Sequence, residues 1–256
     1  MANAKWAKTP VDGKSVTYAG DALKKAWEGL HKGDNELYPK DADLQEAWRA
    51  FHAGDFAKAA ELGAGHVVAV KATSIYANHV EKKAAVKTKL FQDAMELADG
   101  LMKSEPSNAN AYYQYAYAAG RYAQSISVMK ALKDGYGGKI KAALETALKL
   151  DPKHADAHTA MGAYHAEIID KVGAMMGKLT YGTNKDESVK HYETALKLNP
   201  QSPIATIEYA NGLLMLFGDQ QVDKATNLYD KAAKMKGRDA MELMDIESAR
   251  AELEDE

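Results

Sequence analysis

Residues 155–200 read ADAHTAMGAYHAEIIDKVGAMMGKLTYGTNKDESVKHYETALKLNP, and their order is that of a helical hairpin. Small residues open a first helix, a glycine-bearing connection follows, and a second amphipathic helix stops at Pro200. The stretch from Ala109 to Pro152 has the same plan, and its close, ALETALKLDP, nearly repeats HYETALKLNP. Pro106, Pro152 and Pro200 close successive helices at separations of 46 and 48 residues. A helix stop that recurs at this period marks a stack of helical pairs, each burying its apolar face only against the next.

Working outward, Lys87 to Leu101 places Leu90, Phe91, Ala94, Leu97 and Ala98 on one helical face. Before it, Gly54 marks a tight turn between a helix carrying Trp48 and Phe51 and one carrying Phe56 and Ala59. Another apolar helical stretch spans His66 to Val80, and HKGDNELYPKD (31–41) is a loop by composition. Residues 1–20 lack periodicity. The expected organisation is therefore an irregular arm (1–20), divergent helical hairpins (21–106), repeats with lengthened first helices (107–238) and a capping helix (239–256). The fold class is all-α, a solenoid of hairpins.

Bulk composition excludes several roles. Against 33 Lys and Arg stand 36 Asp and Glu, a formal charge of −3, so no nucleic-acid-binding surface is indicated. With no cysteine, disulfides and thiolate chemistry are impossible. The longest apolar patch, Leu213 to Phe217, falls far short of the roughly 20 residues of a membrane span. The N-terminus lacks the apolar stretch of a secretory signal, so a cytoplasmic location is expected, or a periplasmic one if a signal has been removed. No G-x-S-x-G and no ordered serine, histidine and acid constellation occurs, so the chain reads as a non-enzyme without cofactor.

The hairpins resemble the tetratricopeptide repeat. In the central unit its W-x-x-L-G-x-x-Y positions are filled by His158, Met161, Gly162 and His165, and its second helix by Ser188, Tyr192, Ala195, Leu196, Leu198 and Pro200. The unit before has Tyr112, Tyr115, Ala116 and Ala119, then Ile140, Leu144, Ala147, Leu148, Leu150 and Pro152; the unit after begins with Thr206, Tyr209, Ala210 and Leu213. A standard unit has about 34 residues. The excess here falls in Ser125 to Lys139 and Ile168 to Glu187, read as lengthened first helices with an apolar protruding turn. In this lengthening the repeats, over roughly residues 87–235, are similar to those of the regulator of microtubule dynamics family and related bacterial proteins. The resemblance implies a right-handed superhelix with a concave groove. It carries no microtubule contact over, since no motif here matches one.

Aligning the units places Asn110, Tyr113, Gln114, Tyr117 and Arg121 on the groove side of one first helix, continued by Thr159, Ile207 and Asn211. Such a polar and aromatic stripe suits a protein or peptide partner, and a scaffold binding one in the groove is the leading expectation. The alternative is a carrier enclosing a small apolar ligand, with Met129, Val172, Met175 and Met176 of the inserted segments lining it. Those segments could equally cover a second copy in a homo-oligomer. His154, His158 and His165 share a helix face, but without HExxH and in large packing positions they read as core residues rather than zinc ligands. Residues 134–139, DGYGGK, fail the phosphate-loop pattern because Lys133 holds the first glycine position and Ile140 follows the lysine.

Overall fold

The computed structural model describes residues 6–12 and 16–254, and every regular element among them is a helix. Residues 1–5 and 13–15 of the expected arm, and 255–256 of the expected cap, lie outside the described residues. The described part of the arm lies over the first helices: Trp6 stacks on Tyr76 at 4.2 Å between ring centroids, and the Ala7 N–H donates to the Tyr76 hydroxyl.

Helices α1 (Ala22–Leu30), α2 (Ala42–His52), α3 (Phe56–Leu62), α4 (Val67–Ile75) and α5 (Ala84–Ser104) form the first portion. Asp41 and Asp55 cap α2 and α3 by accepting from the backbone N–H groups of Leu44 and Lys58, at 2.9 and 3.2 Å. Between those helices Gly54 takes φ +84°, a left-handed conformation that makes the turn tight. Helix α4 is different in kind. All nine of its residues are buried, and α2, α3, α5 and α6 surround it. Buried on every side although it carries Lys71, Thr73 and Ser74, α4 sits at the centre of the first portion.

The repeats follow as α6 (Ala109–Ile126), α7 (Val128–Lys133), α8 (Tyr136–Leu150), α9 (Ala155–Val172), α10 (Ala174–Tyr181), α11 (Lys185–Leu198), α12 (Pro203–Phe217), α13 (Val222–Ala233) and α14 (Ala240–Glu254). The hairpins are α6 with α8, α9 with α11, and α12 with α13. Asn108, His154 and Ser202 cap the three first helices through their side chains. At the centre of the stack, the Tyr192 ring lies between Gly162 and Gly212. A Cβ would stand 3.0 Å from that ring at Gly162 and 2.5 Å at Gly212, so glycine is what lets α9, α11 and α12 close around it.

The inserted segments correct one expectation. They do not lengthen α6 and α9; each forms a separate short helix after a break. Ser127 has φ +104° and Gly173 φ +81°, values an α-helix cannot pass through.

The two ends of the stack meet. His52 Nδ1 lies 2.9 Å from Asp239 Oδ2, the Tyr18 hydroxyl donates to the Arg238 carbonyl, and the Arg238 guanidinium donates to the Gly29 carbonyl. His79 Nε2 is 3.4 Å from Asp245 Oδ1 on α14. The 31–41 loop reaches the middle repeat, where the Asp156 N–H donates to the Gly33 carbonyl at 3.0 Å and the Asn35 amide to Asp151 at 2.7 Å.

Candidate functional site

Helix α6 packs on α5 and α8, and α9 on α11 and α12, but α6 and α9 approach each other only slightly. Between them lies a cavity of about 110 Å³, walled by α6, α7, α8, α9 and α12. Small residues create the space: Ala116 and Gly120 on α6 face Ala160 and Ala163 on α9. Apolar side chains line most of the wall, with Leu132 from α7, Ile140 and Leu144 from α8, and Ile168 from α9. Tyr164 also lines it, and its buried hydroxyl has no hydrogen-bond partner among the described residues.

One margin is charged. Arg121 donates to Glu208 at 2.7 Å and to Gln124 at 3.0 Å, and Gln124 donates to Glu167 at 2.6 Å. The Arg121 guanidinium lies 5.4 Å from the centre of the Tyr117 ring, a cation–π distance. Burial alone would weaken the charge on Arg121, but Glu208 beside it more than compensates and keeps it a permanent cation. Burial raises the Glu167 carboxyl above its usual range, and the charge of Glu208 adds to the rise. At the opposite margin, burial and then the charge of Asp34 push Asp156 up to about 7. The site therefore offers an apolar pocket the size of one side chain, with hydrogen-bonding and charged groups at its edges.

Four of the eight residues expected to line a groove meet at this cavity: Tyr113, Tyr117, Arg121 and Thr159. The other four do not, because the structure gives them internal partners. Asn110 is buried, donating to Glu36 at 2.6 Å and accepting from His154 at 2.8 Å. Gln114 is 2% exposed, Ile207 is buried against the α12–α13 core, and Asn211 accepts from the Tyr229 hydroxyl. The methionine lining is corrected as well. Met129, Met175 and Met176 are exposed, Val172 packs on the core around Leu144 and Ile168, and none of the four reaches the cavity. After the break at Ser127, α7 turns Val128, Ala131 and Leu132 inward instead.

Periodicity alone did not mark Glu167, Glu208, Tyr164 or Asp156. Glu167 stands where Arg121 stands one repeat earlier, 46 residues before it, so aligning the units would have placed it. Among the histidines, His154 accepts the Ala157 N–H at 3.1 Å as the cap of α9, and burial lowers it to about 4, leaving a neutral ring. His158 and His191 pair through Nδ1 atoms 2.8 Å apart. Among the described residues no group of three or more His, Asp or Glu is arranged to hold a metal ion, and no helix is long and apolar enough to cross a membrane.

A family model described as "Regulator of microtubule dynamics protein 1-3" matches residues 67–254. Among solved structures, a thermophilic tetratricopeptide repeat protein of Thermus thermophilus is similar, with a TM-score of 0.55 and 19% identity. The match covers 82% of this chain and 97% of that one. At that identity the likeness speaks for the fold alone. No curated protein matches.

Proposed function

The chain belongs to the regulator of microtubule dynamics protein 1-3 family, and from that premise we propose that it is a non-enzymatic scaffold that grips a partner protein by one anchoring side chain. The observation that carries this reading is the cavity between α6 and α9, the size of a single side chain and edged by Tyr113, Tyr117 and Arg121. Aromatic residues and arginine around a small desolvated pocket are what interaction hot spots are made of. The partner would insert an aliphatic or aromatic side chain between Ala116 and Ala160, while its backbone meets Gln124, Glu167 and Glu208 at the charged margin. Because Arg121 is already held by Glu208 and Tyr117, little ordering would be needed on binding. Engagement of microtubules forms no part of the proposal, since no feature of the cavity is specific to them.

Selection of a peptide library on the intact protein tests it. Enriched peptides should share a large apolar residue and should lose binding at least about tenfold to Ala160→Trp, which fills the cavity, as expected when a central anchor is refused its pocket. Peptides that bind the filled variant equally well would remove the cavity from the function.

A second reading is favoured by the apolar wall that Leu132, Ile140, Leu144 and Ile168 give the cavity: a carrier of a small apolar ligand. Native mass spectrometry separates the two, because a carrier purifies with added mass that Ala160→Trp abolishes.

A further inference from the structure

Beside the cavity, α7 and α10 form a shoulder whose inner side packs and whose outer side does not. Inward, a Cβ on Gly137 would meet Leu132 of α7 at 2.8 Å and Tyr181 of α10 at 3.0 Å, and Lys141 donates to the Tyr181 carbonyl at 3.0 Å. Both inserts are thus seated on the start of α8. Outward stand Met175 and Leu179, 80% and 79% exposed, with Met176 and Met129 more than half exposed. Elsewhere among the described residues, only Leu37 of the large apolar side chains is as bare as the first two.

The same segments are basic. Residues 128–141 and 170–185 hold seven lysines against two aspartates, a local charge of +5 in a chain of −3, which leaves −8 on the remainder. Lys130, Lys171 and Lys141 are ion-paired with Asp134, Asp170 and Glu145 at 2.6, 2.7 and 3.9 Å. Lys133 and Lys178 have no carboxylate within ion-pair distance among the described residues. Projecting apolar side chains among unpaired lysines, on an otherwise acidic molecule, combine the two attractions that hold proteins at a charged bilayer surface.

We propose that this shoulder docks the protein peripherally on membranes containing anionic phospholipid. Met175, Met176 and Leu179 enter the boundary between headgroups and acyl chains, and Lys133, Lys139 and Lys178 meet the phosphates. Bare apolar side chains flanked by free lysines match an anionic bilayer surface in both polarity and charge.

Co-sedimentation of the full chain with vesicles tests this, using phosphatidylcholine alone and phosphatidylcholine mixed with phosphatidylserine. Binding is expected only on the mixed vesicles and should weaken as salt rises. The double variant Met175→Asp, Leu179→Asp should lose at least about tenfold in partitioning. Lys133→Glu with Lys178→Glu should abolish the preference for the anionic vesicles. All four positions are exposed, and an unchanged helical spectrum confirms that the variants fold. Equal sedimentation with both vesicle types, or binding indifferent to these variants, overturns the proposal. So does absence of vesicle binding combined with self-association that the aspartate variant disrupts, which would make the shoulder an interface between copies. Neither result bears on the peptide-binding cavity, which the Ala160→Trp experiment addresses separately.

Discussion

The repeats from α6 to α13 are held by close apolar contact: alanines at the crossings, and one tyrosine ring between two glycines. The portion from α1 to α5 has an apolar core of its own, with Leu23, Trp48, Phe51 and Phe91, but its central helix also carries a lysine. Lys71 Nζ lies 2.6 Å from Asp34 Oδ2, His31 lies 2.8 Å from Asp34 Oδ1, and all three residues are buried. Burial alone would raise Asp34, but the Lys71 ammonium and His31 outweigh it and hold the carboxyl well below its ordinary range. Repeats of regular sequence can rely on shape. The first portion, which also binds the C-terminal end of the stack, adds directional, charged partners to its apolar core, and these tolerate only one arrangement.

The largest effect expected from breaking this contrast is at Asp34. Asp34→Ala leaves the Lys71 ammonium buried without a partner and should destabilise by about 3–5 kcal/mol. Asp34→Leu combined with Lys71→Met should restore most of that, and urea unfolding of the three proteins checks it. A loss under about 1 kcal/mol in the single variant would mean that the first portion is held by shape after all.

Next in size is Gly212→Ala, whose Cβ would meet Tyr192 Cε2 at 2.5 Å. Overpacking of this kind costs about 1–3 kcal/mol. Gly100→Ala on α5, where a Cβ meets nothing within 4 Å, should instead stabilise by roughly 0.5–1 kcal/mol through helix propensity. Thermal melts with opposite shifts for the two alanines are the expected result.

The smallest effect is at Asp156, which belongs to the repeats by sequence and to the charged network by contact. Its carboxyl is raised to about 7 by burial and by Asp34. The folded protein therefore holds that proton more tightly than the unfolded chain does. Stability from this group is present at low pH and is lost as pH rises from the ordinary carboxylate range through about 7. Asp156→Asn cannot ionise, so it should melt higher than the natural protein above pH 7, by about 2–4 °C if ~1 kcal/mol is recovered. The gain should shrink towards pH 4. A gain that is the same at every pH would assign the effect to packing rather than to charge.

How much of this was legible in the sequence follows the same division. The TALKLDP and TALKLNP endings state the period of the stack outright, and Gly162 announces a close crossing. Tyr113, Tyr117 and Arg121 share a face by helical spacing, alignment of the repeats adds Thr159, and the fold does bring the four together at one cavity. Asn110 shares that spacing too, yet its partners Glu36 and His154 lie 74 and 44 residues away. Helical period gives the face of a residue on its own helix and is silent about a loop arriving from elsewhere. The inserted methionines failed for a related reason. Apolar residues at helical spacing suggest a continuous helix, but backbone turns at Ser127 and Gly173 change the direction of everything after them.

The meeting of Tyr18, Gly29 and His52 with Arg238 and Asp239 has a consequence for how this architecture can change. A linear stack of repeats can gain or lose a unit, because each touches only its neighbours and the ends are free. Here the segment from Arg238 into the last helix is seated on the first portion, at Gly29, His52 and His79. An added hairpin would carry Asp239 and Asp245 away from His52 and His79, so the number of repeats is fixed by closure. The same closure ties local opening at either terminus to the middle of the molecule. The chain should therefore lose its structure as one unit where an open array would fray from its ends.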